Sequence, residues 1–64
     1  MRLIVDGMNC AHCVRAITDA VTSLKDGVVV KVSLENRTVD VEGIDDREAV
    51  VAAIESEGYE VRPA

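Results

Sequence analysis

The sequence contains few aromatic residues and almost no proline. Among its 64 residues, Tyr59 is the only Phe, Tyr or Trp residue and Pro63 the only proline. A core without large rings must be built from aliphatic side chains, and 48% of the residues are hydrophobic. A chain of this length closes one hydrophobic core at most, so we expect a single domain over residues 1–64.

A surplus of positive charge and a long apolar run are also missing. Twelve acidic residues against seven basic ones give a net charge of −5. This charge argues against nucleic acid as a partner and fits a partner with a basic patch. No apolar run approaches the roughly 20 residues of a membrane span, so no membrane insertion is expected. The first residues lack the apolar segment of a signal peptide, and we expect a cytoplasmic protein.

The spacing of apolar residues predicts alternating strands and helices. Strands are indicated where apolar and polar residues alternate, and helices where apolar residues recur every three or four positions. Strand patterns occupy residues 2–6, 28–34, 38–42 and 59–62, and helical patterns begin at Ala11 and near Asp45 or Asp46. The order is β-α-β-β-α-β. It predicts an α+β, ferredoxin-like sandwich with a four-stranded antiparallel sheet and two helices on one face.

The ends of these elements carry their own signals. Lys25 is expected in the last turn of the first helix, and Gly27 at its C-terminal stop. Asn36 is expected to take the left-handed conformation in the turn between the second and third strands. Gly58 is expected to end the second helix.

Both cysteines and the only histidine lie between Cys10 and Cys13, just before the first helical pattern. Cys10 ends a loop and Cys13 falls in the first helical turn, so both sulfurs can be aimed at one point. A helix N-terminus stabilises thiolates and lowers thiol pKa values from about 8.5 to roughly 3.5–7.5. The pair therefore suits a soft-metal site or a dithiol redox centre.

The number of available ligands distinguishes the candidate metals. A closed structural zinc site needs four ligands, and an iron–sulfur cluster needs about four cysteines. Two thiolates satisfy Cu(I), which is a soft ion. Asn9 is neutral where a carboxylate would add a hard ligand, and this favours Cu(I) over Zn(II). Zn(II) and Hg(II) remain as alternatives.

Three neighbours of the cysteines each have two interpretations. His12 is either an exposed surface residue or an auxiliary ligand when two domains share a metal ion. Met8 is expected to pack beneath the loop as a support, although its thioether is also a potential copper ligand. Tyr59 opens the last strand, where it either fills the core or brings its hydroxyl close to the thiolates.

Residues 7–13, Gly-Met-Asn-Cys-Ala-His-Cys, resemble the G-M-x-C-x-x-C signature of heavy-metal-associated domains. The likeness covers the whole chain, including Gly-Val before the second strand and Glu-Gly-Tyr before the last one. The resemblance implies that Cys10 and Cys13 are the metal ligands, Met8 a buried loop support and Tyr59 a neighbour of the site. In having a histidine between the two cysteines, the sequence resembles a subset of bacterial copper chaperones of the CopZ type. In those proteins the histidine can join Cu(I) sites in dimers.

The resemblance also implies a function. A domain of this kind is expected to be a metallochaperone and not an enzyme. It would deliver Cu(I) to the metal-binding domain of a copper-exporting P-type ATPase and form a copper-bridged homodimer. The same domain occurs as an N-terminal module of such pumps and in mercury-binding proteins.

Two further readings of the cysteine pair stay open. A dithiol oxidoreductase is the main alternative from another class, although no proline or aromatic residue adjoins the cysteines. The second alternative is a small structural domain in which the two cysteines have no chemical role.

Overall fold

The computed structural model describes residues 1–63 and has the predicted order of elements. The strands are β1 (Arg2–Asp6), β2 (Val29–Ser33), β3 (Thr38–Glu42) and β4 (Glu60–Pro63), and the helices are α1 (Ala11–Thr22) and α2 (Arg47–Ser56). The strands form one antiparallel sheet in the order β2-β3-β1-β4. The ferredoxin-like prediction is confirmed. Neither helix in residues 1–63 has the length and apolar character needed to cross a membrane.

One face of the sheet is apolar because alternate residues of each strand point to it. The fully buried strand residues are Leu3, Val5, Val39 and Val41, and the fully buried helix residues are Ile17, Val21, Val50 and Ile54. These side chains form one cluster, so both helices cover the same face of the sheet. Burial of each such side chain contributes about 1.5–3 kcal/mol.

The opposite face of the sheet carries cross-strand ion pairs. Arg2 donates two hydrogen bonds to Asp40, at 2.7 and 3.3 Å. Arg62 donates two to Asp6, at 2.8 and 3.1 Å. Exposed pairs of this kind contribute little to stability, because solvent screens them. These charged side chains lie on the face that the helices do not cover.

The end of α1 and the limits of β2 differ from the prediction. α1 ends at Thr22 with Ser23 as its C-cap, so the placement of Lys25 in its last turn and of Gly27 at its stop is wrong. The hydroxyls of Thr22 and Ser23 each donate to a carbonyl one turn earlier, at 2.8 Å. Such side-chain bonds to the backbone compete with continuation of a helix. β2 is one residue shorter at each end than its apolar pattern.

The turn between β2 and β3 contains a second difference. Arg37, and not Asn36, has the left-handed conformation, with φ of 58°. Its carbonyl accepts a hydrogen bond from the Val5 amide at 2.8 Å, and its guanidinium lies 3.9 Å from Asp6. Contacts with β1 on two sides hold Arg37 in this conformation, which local sequence signals did not reveal.

Both ends of α2 agree with the prediction. The Asp46 carboxylate accepts a hydrogen bond from the Ala49 amide at 3.1 Å and so caps the N-terminus. Gly58 follows the C-cap residue Glu57 with φ of 94°, and its left-handed conformation ends the helix.

The antiparallel pairing of β1 and β4 brings two loops together. Asp6, the last residue of β1, lies opposite Glu60, the first residue of β4. The loop after β1, residues 7–10, is therefore adjacent to Tyr59, which immediately precedes β4. α1 also begins at this end of the sheet, so the cysteines and Tyr59 approach each other.

Candidate metal centre

Cys10 is the N-cap residue of α1. Its backbone is extended, with φ of −160° and ψ of 171°, and its side chain makes no capping hydrogen bond. Its carbonyl accepts hydrogen bonds from the amides of Cys13 and Val14, at 3.1 and 3.3 Å. The backbone therefore starts the helix unaided, and the Cys10 sulfur is not used for capping.

The two sulfur atoms lie 3.6 Å apart. This separation exceeds the roughly 2.05 Å of a disulfide bond, and both cysteines are free. Cys10 is exposed, whereas Cys13 is half-buried. The structure thus brings the two thiols to one point at the helix N-terminus, where one of them faces solvent.

The surroundings of Cys13 favour its thiolate form. Its pKa falls from 9.0 to about 7, mainly because the Tyr59 hydroxyl hydrogen-bonds to the sulfur and secondarily because the Asn9 backbone amide does so. The same interaction raises the pKa of Tyr59 to about 12. The first turn of α1 contains no acidic residue, so no negative charge there opposes a thiolate.

The Asn9 side chain also touches Cys13. The Cys13 thiol donates a hydrogen bond to Asn9 Oδ1 at 3.7 Å. The contact between the Cys10 and Cys13 sulfurs also meets hydrogen-bond geometry when either sulfur carries a proton. In the sequence, Asn9 was notable only because it is neutral at a position where a carboxylate would add a hard ligand. The hydrogen bond between Asn9 and Cys13 was not predicted, because the sequence does not indicate where a polar side chain in a loop points.

Met8 and Tyr59 support the loop from beneath and from one side. Met8 is only 8% exposed and belongs to the core. Tyr59 is half-buried and packs against that core. Its ring also lies next to Gly7, whose φ of 100° requires a residue without a side chain. The contact between Gly7 and Tyr59 was not predicted from the sequence.

His12 is exposed on the first turn of α1. Within residues 1–63, no three or more His, Cys, Asp or Glu side chains come together as a set of metal ligands. His12 therefore does not complete a three-ligand site with the cysteines of its own chain. The arrangement is an open pair of sulfurs, which suits a soft ion of low coordination number better than a closed tetrahedral site.

Known proteins resemble this chain over most of its length. The profile of the heavy-metal-associated domain matches residues 2–60. The copper chaperone CopZ of Bacillus subtilis (strain 168) is 42% identical over 62 residues, which cover 92% of this chain and 90% of that protein. Copper-transporting ATPase 2 of Rhizobium meliloti (strain 1021) is 40% identical over 94% of this chain but only 8% of its own length.

Solved structures give the same result for the fold. The copper chaperone Atx1 from Synechocystis PCC6803 superimposes with a TM-score of 0.90 at 31% sequence identity. The match covers 97% of this chain and 98% of that one. The matches in sequence extend over the cysteine loop, both helices and most of the sheet. The chain therefore belongs to the heavy-metal-associated domain family.

Proposed function

We propose that this protein is a Cu(I) metallochaperone, which binds the ion between Cys10 and Cys13 and passes it to a partner with its own thiols. The observation that carries the proposal is the pair of free sulfurs 3.6 Å apart at an exposed helix N-terminus. Two relatives whose matches to this chain cover 91% and 90% of their own length are named copper chaperones.

The chemistry of the donor set supports Cu(I) as the cargo. Two thiolates are soft ligands, and Cu(I) accepts soft ligands in low coordination numbers. Zn(II) would need two further ligands, and Asn9 offers no carboxylate. Two thiolates and one Cu(I) carry a net charge of −1, which the helix N-terminus and the Tyr59 hydroxyl stabilise.

Loading requires a small movement of the loop. Zinc–sulfur bonds are about 2.3 Å long, and with bonds of similar length two sulfurs on opposite sides of one ion stand further apart than the 3.6 Å seen here. The exposed Cys10 is the residue freer to move outward. It is exposed and makes no capping bond, so this movement breaks no side-chain cap of α1.

The difference between the two cysteines gives the order of transfer. A partner thiolate first binds the ion, and the bond to the exposed Cys10 then breaks. A second partner thiolate replaces Cys13, which is half-buried and therefore harder to reach. Each step exchanges one thiolate for another, so no oxidant or reductant is consumed. The protein is then a carrier and not an enzyme.

The proposed partner is the metal-binding domain of a copper-transporting P-type ATPase. Support comes from the similarity to a segment of one such ATPase, which contains a related domain. A second copy of this chain is another acceptor, because two exposed thiol pairs can share one ion in a copper-bridged homodimer. A cytoplasmic location would place the protein where such pumps load copper.

The charge distribution favours a basic surface on the partner. On the open face of the sheet and in the β2–β3 turn, the acidic residues exceed the basic ones by one: they are Asp6, Glu35, Asp40, Glu42 and Glu60 against Arg2, Lys31, Arg37 and Arg62. The helices and remaining loops therefore carry most of the net charge of −5. A basic partner would be attracted to the surface formed by the helices and these loops.

A transfer experiment tests the proposal. The reduced, Cu(I)-loaded protein is mixed with the metal-binding domain of a copper-transporting ATPase, the two are separated by ion exchange, and the copper in each is measured. We expect copper to distribute between them within minutes, and no stable complex without metal. Retention of copper by the loaded protein for hours would contradict the proposal, as would steady turnover in an insulin-reduction assay, which indicates an oxidoreductase.

A further inference from the structure

We propose that Asp6 is a positioning residue for the cysteine loop, residues 7–10, because its carboxylate joins the end of β1 to β4 and to the β2–β3 turn. Asp6 is the last residue of β1, and the loop follows it directly. The inference deepens the proposed function, on which it rests for the role of Cys10 and Cys13 as copper ligands. The ion pairs themselves are a property of the metal-free chain.

The first contact of the Asp6 carboxylate is with β4. Arg62 donates from Nε to Asp6 Oδ2 at 2.8 Å and from Nη2 to Oδ1 at 3.1 Å. One guanidinium therefore binds both carboxylate oxygens, a geometry that adds directional specificity to the charge attraction. Arg62 lies opposite Ile4 in the ladder between β1 and β4, so its bonds to Asp6 run diagonally across the end of that ladder. They fasten β1 to β4 where the cysteine loop begins.

The second contact is with the β2–β3 turn. Arg37 Nη1 lies 3.9 Å from Asp6 Oδ1, and the Arg37 carbonyl accepts a hydrogen bond from the Val5 amide at 2.8 Å. Arg37 has φ of 58°, a conformation that a residue with a side chain keeps only when its surroundings hold it. Adjacent residues of β1 hold it through a carboxylate and an amide. The Asp6 carboxylate thus links three segments of the chain beside the loop.

The Arg2–Asp40 pair on the same face provides a comparison. Arg2 also binds both oxygens of its partner, at 2.7 and 3.3 Å. The side chains of Asp6 and Asp40 are exposed to almost the same extent, 31% and 32%. Arg2 is the first residue of β1, at the end of the strand away from the cysteine loop. The two pairs therefore match in chemistry and exposure and differ in their position relative to the loop.

The expected effect of Asp6 is local. An exposed ion pair changes an equilibrium only a few-fold, which is small against the free energy of global unfolding. Loops and strand ends, however, open with much smaller free energies than the whole domain does. A few-fold change there alters the fraction of time for which the loop is in place. A loop that is already ordered loses less conformational entropy when it binds an ion.

Amide hydrogen exchange, followed by NMR, tests the link in the metal-free protein. The Val5 amide donates to the β2–β3 turn and reports on the loop end of β1, whereas the Val41 amide donates to the Met1 carbonyl and reports on the other end. We expect Asp6→Asn to speed exchange at Val5 about two- to fivefold and to leave Val41 unchanged. Asp40→Asn is the matched control and should leave Val5 unchanged. An equal effect of both variants on Val5 would overturn the proposal.

The mobility of the loop is measured by nitrogen relaxation of residues 7–9. We expect lower order parameters there in Asp6→Asn than in wild type or in Asp40→Asn. Salt separates charge from side-chain shape, because about 1 M NaCl reduces the screening length to about 3 Å. Such salt should lower the order parameters of wild type and leave those of Asp6→Asn unchanged. Equal order parameters in wild type and Asp6→Asn at low salt would overturn the proposal.

A double-mutant cycle tests whether Asp6 acts through its partner on β4. Arg62→Gln should also speed exchange at Val5, and the double variant should exchange no faster than Asp6→Asn alone, because the pair is already broken. Additive effects of the two substitutions would show that Asp6 and Arg62 act independently, and would overturn the proposal.

Copper binding is measured separately by competition with a Cu(I) chelator. We expect Asp6→Asn to lower the affinity about two- to fivefold, in proportion to the loss of loop order, and Asp40→Asn to leave it unchanged. Wild-type affinity in Asp6→Asn would overturn the positioning role. A failure of Cu(I) binding in the wild type would reject the proposed function and leave the exchange and relaxation results standing.

Discussion

The sulfur atoms of Cys10 and Cys13 lie 3.6 Å apart, but the two residues have different surroundings. Cys10 is exposed at the N-cap of α1, and Cys13 is half-buried in the first turn, next to Tyr59 and Asn9. One thiol is open to a partner and the other is held by the protein.

Removal of either sulfur should abolish tight binding. Cys10→Ser and Cys13→Ser each replace one of two soft ligands with a hydroxyl, which is a poor ligand for Cu(I). We expect the affinity measured by competition with a Cu(I) chelator to fall by at least about a hundredfold in each variant. Ser23→Ala changes the hydroxyl of the C-cap residue at the far end of α1 and serves as the control. Unchanged affinity in either cysteine variant would exclude that residue as a ligand.

His12→Ala should leave the affinity of the 1:1 complex within about twofold, because His12 makes no ligand set with the cysteines of its own chain. Chelator competition at low protein concentration measures this value. The same variant should alter copper-induced dimerisation, measured by sedimentation. A loss of 1:1 affinity similar to that of Cys10→Ser would show instead that His12 is a ligand within the monomer.

Tyr59→Phe should raise the pKa of Cys13 above the value of about 7, since the hydroxyl is the largest cause of that low value. The pH dependence of Cys13 alkylation, followed by mass spectrometry of the peptide, measures it. The midpoint should lie near 7 in wild type and move upward toward 9.0 in the variant. The same midpoint in both proteins would contradict the role given to the hydroxyl.

The same pKa determines how stability changes with pH. The Cys13 pKa is lower in the folded chain than in the unfolded one, so the unfolded state binds more protons between the two values. The free energy of unfolding should therefore rise as pH increases from about 7 toward 9.0, and this contribution should be lost below 7. Tyr59→Phe should flatten that rise in urea titrations. A rise of equal size in the variant would assign the effect to other groups.

Asn9→Asp should shift metal preference toward Zn(II), because a carboxylate beside Cys13 adds a hard ligand and a negative charge. We expect the ratio of Zn(II) to Cu(I) affinity to rise by at least about tenfold in parallel competition assays. Asn36→Asp makes the same change in charge in the β2–β3 turn and should leave the ratio unchanged. Equal shifts in the two variants would point to net charge as the cause.

Core packing can be tested separately from the metal centre. Ile17 is fully buried on α1, and Ile17→Val should cost about 0.5–1.5 kcal/mol. In a domain of this size each kcal/mol lowers the Tm by about 4–8 °C. Val29→Ala removes a side chain that is 54% exposed and should change the Tm by far less. Similar shifts in both variants would contradict the assignment of Ile17 to the core.

The sequence predicted the fold and the position of the cysteines because both depend on local patterns. Alternation placed Leu3 and Val5 on the buried face, and helical spacing did the same for Ile17 and Val21. A cysteine at the N-cap and another in the first turn have their sulfurs close together because of their spacing on the helix, whichever side chains surround them. The metal-ligand roles of these residues remain a proposal.

The details that were not predicted depend on contacts between distant parts of the chain. Arg37 takes the left-handed conformation because β1 binds its carbonyl and side chain. The packing of Tyr59 on Gly7 joins residues that are far apart in sequence. Asn9 gave no sign of its bond to Cys13 for a related reason, since side-chain direction in a loop is set by tertiary packing.

Native mass spectrometry of the reduced protein, offered Cu(I) and Zn(II) together, tests whether Cys10 and Cys13 bind Cu(I). We expect one Cu(I) per chain, with zinc absent, and a copper-bridged dimer at higher protein concentration. Cys10→Ser should show neither species. A chain that takes up Zn(II) in preference to Cu(I), or that binds no metal at all, would contradict the account.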